Sequence, residues 1–314
     1  MVRTVNQRAE GGLALRTPAQ LGYRMPAEWE PHAGTWLTWP RRESISFPII
    51  YDRIPPIFAT VISTLSRGEE VFVNVCDPEM EADARKILKQ HDALNNNVNF
   101  FHHPSDEPWC RDHGPIFVQN QTTRAIINWD YNAWGKKYSA HKKDNKIPKR
   151  IASARDLQCY TPGMVLEGGS IEVNGQGTLL TTESCLLNPN RNPDLNKKEI
   201  EQRLREYLGV THILWLSNGI VGDDTDGHID DLTRFVDQHT VITMIEEDES
   251  DENHQPLKKN LQRLKRMQTQ DGKPLKIVEI PMPDPVFFQN ERLPASYANF
   301  YVGNETVLLP AFNQ

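Results

Sequence analysis

No stretch of the 314 residues approaches the roughly 18 consecutive apolar residues that a bilayer-spanning helix needs, so no membrane span is expected. The start, 1–12, is polar and has no apolar core of the secretory type, so no leader is expected either. Cysteine is scarce: Cys76, Cys110, Cys159 and Cys185 are scattered, with no CxxC pair. Reduced thiols in a cytoplasmic protein are the expectation, not a disulfide framework. Neither GxGxxG nor GxxxxGK[ST] occurs, which removes the usual phosphate-cradling loops. Positive charge is also short, 35 Lys and Arg against 42 Asp and Glu, a net charge of -7. That balance argues against a nucleic-acid binder and suits a cationic ligand.

What is present is a repeat. Segments 116–127, 171–180, 234–243 and 300–309 each read as a β-hairpin: a short strand ending at a valine, a polar turn, then a β-rich strand. The valines are Val118, Val173, Val236 and Val302. Helical spacing of apolar residues predicts helices at 79–92, 197–208 and 257–270, each followed by a strand, at 97–102, 211–216 and 276–280. An early strand at 34–39 precedes a helix at 57–67 and a strand at 70–76. Hairpin, helix and strand modules set around a centre fit this order; a doubly wound sheet would not need paired hairpins.

The hairpin register singles out three carboxylates. Asp112, Glu167 and Asp230 each stand six residues before a module's valine. If they occupy equivalent strand positions they face one centre; each could equally cap a turn. Around Asp112 the loop supplies Trp109, Cys110, Arg111 and His113, an aromatic ring and a carboxylate suited to a planar cation. Arg111 could instead pair with Asp112. Gly168 and Gly169 permit close backbone approach after Glu167. In the third loop, Gly222 and Thr233 stand where a calcium loop needs ligands, and His228 and Asp230 have no second ligand cluster, so no metal is expected. Read as a strand, that loop points His228 and Asp230 the same way, an imidazole for proton transfer beside a carboxylate for cation binding. Asn299 is either a substrate ligand or a plain strand polar residue.

Five ordered motifs, MPAEWEPHAGTWLTWP at 25–40, WCRDHGP at 109–115, EGGS at 167–170, GDDTDGHIDD at 222–231 and ANFY at 298–301, resemble the agmatine deiminase / Porphyromonas-type peptidylarginine deiminase family. The resemblance runs over nearly the whole chain. It implies an α/β fold, a five-bladed pseudo-symmetric propeller of ββαβ modules whose last module is incomplete, in one catalytic domain over 1–314. It implies that Asp112 and Asp230 grip a guanidinium, that Trp109 lines the pocket, that His228 is the general acid/base supported by Glu167, and that Asn299 lies near the nucleophile. It implies no cofactor, a homo-oligomer, and a cysteine nucleophile expected beyond Gln314, since Cys110 fits a packed thiol better and the other three cysteines look structural. The implied reaction is hydrolysis of agmatine to N-carbamoylputrescine and ammonia, a step toward putrescine. Surplus acid in the loops (Asp106, Glu107, Asp223, Asp224, Asp226, Asp231) favours a dication. Peptidylarginine deimination and non-catalytic guanidine binding are the alternatives.

Overall fold

The computed structural model describes residues 16–312. The polar start at 1–12, Gln314 and the nucleophile expected after it lie outside the described residues. β1 (Gly34–Thr38), β2 (Glu70–Val75) and β3 (Val98–His102) form a parallel sheet, with α1 (Ile54–Leu65) and α2 (Pro78–Gln90) as crossovers. Three further sheets share one plan, an antiparallel hairpin whose second strand pairs in parallel with a third. They are β4 (Ile116–Gln119), β5 (Arg124–Ile127) and β6 (Gln158–Tyr160); β7 (Ile171–Val173), β8 (Thr178–Thr182) and β9 (His212–Leu216); and β10 (Thr233–Phe235), β11 (Thr240–Ile245) and β12 (Lys276–Pro281). Helices α3 (Ile147–Ala154), α4 (Lys197–Leu208) and α5 (His254–Leu264) make the three crossovers. Two hairpins follow, β13 (Phe287–Phe288) with β14 (Glu291–Arg292) and β15 (Tyr301–Val302) with β16 (Val307–Leu308). The described strands thus form separate small sheets within an α/β fold, and no sheet closes on itself.

Local chemistry sets the elements. Asn196 and Glu199 close a capping box on α4, Ile200, Leu204 and Leu208 bury one stripe, and Gly209 ends the helix at φ 68°. The cores lie between successive sheets. Ala125 and Ile127 of β5 pack with β7, Leu179 of β8 and α4, while Ile126 turns to α3. Leu180 of β8 likewise faces the next core, with Phe235, Val241 and Leu257. Tyr301 and Leu308 of the last hairpin pack on the core of the first sheet, and Asn304 bonds both main-chain groups of His32.

Two helices depart from expectation. α3, with its strand β6, was not foreseen: it has only eight residues, the second of them Pro148. α5 starts three residues early and ends at Leu264, because Thr269 to Gly272 turn the chain and Gln270 Oε1 accepts from Asn174 Nδ2 at 2.9 Å. Among the described residues no helix is long and apolar enough to cross a membrane.

Candidate active site

Each of the three complete hairpins is entered through a single helical turn: Cys110–His113, Gly168–Ser170 and Ile229–Asp231. Asp112 lies in the first, Glu167 directly precedes the second, and His228 precedes the third, which contains Asp230. The strand reading of these residues is therefore corrected. Their convergence comes from the packing of turn on turn, not from the two-residue period of a strand. The carbonyl of Arg111 sits so close over Gly168 that any Cβ there would collide with it.

The four expected groups meet. His228 Nδ1 lies 3.6 Å from Asp112 Oδ1 and 3.9 Å from Asp230 Oδ1, while Nε2 lies 4.0 Å from Glu167 Oε2. All are buried or nearly so. A Cβ on Gly169 would stand 2.5 Å from His228 Nδ1 and 2.8 Å from both Asp112 Oδ1 and Asp230 Oδ2. Gly169 thus lets all three groups close on its Cα, where any side chain would collide with them. Gly169→Ala is expected to push the three groups apart and weaken guanidinium binding by about a hundredfold in calorimetry; retained affinity would show that their close approach does not matter for binding.

Burial shifts the charge state of all these groups. Burial, with Asp230 and Glu167 nearby, pushes Asp112 up to about 8. Burial also raises Asp230 to about 6, against the pull of Arg111 and Arg234. Burial and Arg191 hold His228 neutral, well below its usual range. Among the described residues, Asp230 Oδ1, Glu167 Oε2 and His228 Nε2 have no hydrogen-bond partner. Clustered, under-bonded carboxylates beside a neutral imidazole make a receptor for a hydrogen-bonding cation.

Several neighbours escaped sequence reasoning. Arg111 pairs with Glu28 at 2.6 Å and not with Asp112. Arg191 is fully buried, 2.8 Å from Glu167 Oε1 and paired also with Asp226. The indole on Asp112 belongs to Trp134, whose Nε1 donates to Oδ2 at 3.1 Å. Trp109 is exposed; its Nε1 donates to Ser46 Oγ at 2.7 Å and its ring meets Phe47. Asn299 donates to Asp231 Oδ1 at 2.8 Å, one residue from Asp230. The loop acids are largely engaged within the protein: Asp226 with Lys137, Asp224 with Tyr138, Asp223 with Thr225, Glu107 with Ser46.

Burial pushes the Cys110 thiol up to about 12 and raises Cys185 well above its ordinary value. Glu167, Cys185 and His228 each offer a donor atom within 4.8 Å of the others, a possible metal set by distance. Arg191 already places a guanidinium against Glu167 there, and its charge opposes a dication.

Sequence comparison matches residues 24–314 to a profile described as Porphyromonas-type peptidyl-arginine deiminase. The chain belongs to that family. Among its relatives in the deiminase family, a Legionella pneumophila (strain Paris) protein named "Putative agmatine deiminase" is 36% identical over 296 residues, covering 94% of this chain and 84% of that one. The structure of an Enterococcus faecalis agmatine deiminase, described as catalyzing its reaction, superposes with a TM-score of 0.86 at 31% identity, over 96% of this chain and 86% of that one. A C. jejuni agmatine deiminase, a cysteine-to-serine variant with substrate bound, gives 0.83 at 32% identity, over 92% and 83%.

Proposed function

We propose that this deiminase-family protein hydrolyses agmatine to N-carbamoylputrescine and ammonia, a step toward putrescine. The observation that carries the reading is the convergence of Asp112, Asp230 and His228 around Gly169. Asp112 and Asp230 take the guanidinium N–H groups, with Trp109 and Asn299 at the margins of the pocket. His228 takes the proton of a cysteine thiol, the thiolate attacks the guanidinium carbon, and the imidazolium passes that proton to the departing ammonia. Neutral His228 then takes a proton from the water that attacks the thiouronium, and the thiolate leaves as the ureido product forms. Glu167, held by Arg191, orients His228. The high, buried thiols of Cys110 and Cys185 are unsuited to this attack, and neither is assigned as the nucleophile. The same reading takes the four three-stranded units and the β15–β16 hairpin as five pseudo-symmetric propeller modules of one catalytic domain, in a cytoplasmic homo-oligomer.

The test is calorimetry with agmatine beside a ureido-product assay. Agmatine turnover supports the reading, and turnover of peptidylarginine alone replaces it with peptidylarginine deimination. Binding without product would indicate a non-catalytic guanidine binder. Binding should also depend on pH in a defined direction. Raised pKa values keep Asp112 and Asp230 neutral below about 8 and 6; a cation selects their ionised forms. Affinity is therefore expected to climb from pH 5 to 8.5, with proton release on binding over that window. A flat profile contradicts the assignment.

A further inference from the structure

The residues that hold Asp112 in place come from an unusual piece of backbone. Ala133, Trp134, Gly135 and Lys136 have φ of 54°, 52°, 87° and 65°, four successive left-handed residues, three of them carrying a Cβ. Such a run is sterically unfavourable for L-residues and persists only where its surroundings enforce it. Here they do. The Asn132 side chain accepts from Gly135 N at 2.8 Å, and its carbonyl accepts from Lys136 N at 2.8 Å. Asn132 Nδ2 donates to the Asn190 carbonyl at 3.1 Å. A side chain on Gly135 would collide with the Asn190 amide and stand 2.8 Å from an Arg191 nitrogen.

What the turn presents is equally specific. Trp134 Nε1 reaches Asp112 Oδ2 at 3.1 Å, while Gly169 N donates to Oδ1 at 3.1 Å. The indole is wedged edge-on between Tyr131 and Tyr138, at 5.6 and 5.8 Å. Lys137 then reaches Asp226 Oδ1 at 2.8 Å and the Asp224 carbonyl, and Tyr138 donates to Asp224 Oδ2 at 2.5 Å, on the loop that leads into His228. One strained turn therefore touches both sides of the site.

We infer that the left-handed turn Ala133–Lys136 is a positioning device, and that Trp134 is the positioning residue that orients the Asp112 carboxylate toward the guanidinium. The inference rests on the proposed role of Asp112. With one donor on each oxygen, the carboxylate plane is fixed while its remaining lone pairs stay open to a ligand. A donor to the anion also favours its ionised form.

Trp134→Phe removes the N–H and keeps most of the ring. Agmatine affinity, measured by calorimetry at pH 8.5, is expected to fall roughly tenfold to hundredfold, the loss of one hydrogen bond to a charged group. The midpoint of the affinity-against-pH curve should also move upward, which a loosened pocket alone would not produce. In an Asp112→Asn background the same substitution should have little further effect. NMR of the intact wild-type protein provides a readout that does not depend on the Phe variant folding. One indole N–H signal should shift on agmatine addition and titrate with pH, and should stop titrating in Asp112→Asn. If wild-type protein binds agmatine while Trp134→Phe keeps its affinity and midpoint, or no indole signal titrates, the inference is overturned and the site reading stands. If wild-type protein binds no guanidinium compound, the site reading itself falls and takes this inference with it.

Discussion

Asp112→Asn is expected to weaken agmatine binding about two to three orders of magnitude at pH 8.5, and far less at pH 5.5. Truncating one partner of a buried charge pair commonly costs about 3–5 kcal/mol, and each 1.4 kcal/mol is roughly tenfold in affinity. Asparagine keeps the volume and can still accept from one of the two donors, Trp134 Nε1 or Gly169 N, that bracket the carboxylate. What it lacks is the charge. The pH contrast follows from the same group. Burial beside Asp230 and Glu167 lifts Asp112 to about 8, so at pH 5.5 the wild-type side chain is already largely neutral and resembles the amide. The two proteins should converge as pH falls. The sign in the ligand-free protein is opposite: a carboxylate with a raised pKa contributes stability below about pH 4 that is lost as pH rises through 8. Agmatine should accordingly stabilise the wild type most at the alkaline end, by thermal shift. Equal affinities for the two proteins at pH 8.5 would remove Asp112 from the binding site.

The legible part of this protein was the part encoded locally. Alternating β-rich runs around polar turns located the four hairpins at 116–127, 171–180, 234–243 and 300–309, and the spacing to Val118, Val173 and Val236 picked out Asp112, Glu167 and Asp230. The two-residue strand period does not explain that spacing, since Asp112 and Asp230 lie in single helical turns and Glu167 directly precedes one. A repeated offset reports a repeated unit whatever backbone lies inside it. What could not be read was long-range pairing. Arg111 is claimed by Glu28, 83 positions away, and Arg191 by Glu167, 24 positions away. Nothing in the local sequence says which buried carboxylate an arginine will meet. Trp134 was hidden for a different reason, because no spacing rule anticipates four left-handed residues in succession.

Arg234→Met should be the most destabilising single change at the centre, by about 3–5 kcal/mol, the range for removing one partner of a buried ionic cluster. At about 2–4 °C per kcal/mol for a chain somewhat smaller than this one, a drop in Tm near 10 °C is the expected result. Arg234 is 1% exposed, and all its nitrogens are engaged: Nε with Glu172 Oε2 at 2.9 Å, one terminal nitrogen with Glu28 Oε1 at 2.9 Å, the other with the Phe300 and Ala298 carbonyls at 2.7 and 3.2 Å. Methionine fills part of the volume and leaves two carboxylates and two carbonyls each short of the donor that Arg234 supplied. Burial already pushes Glu172 up to about 7, and without Arg234 it should rise further and take up a proton. The defect should therefore be larger at pH 8 than at pH 5.5, and Glu172→Gln added to Arg234→Met should recover part of it at pH 8. Added salt should matter little, because the cluster is buried beyond ionic screening. The break also reaches the binding site: Glu28 loses one of two guanidinium partners, and the other, Arg111, lies 3.9 Å from Asp230 Oδ2. Weaker agmatine binding with a fall in Tm fits this coupling. A variant that melts within 2 °C of wild type at pH 8 would show that the cluster does not hold the last hairpin to the centre.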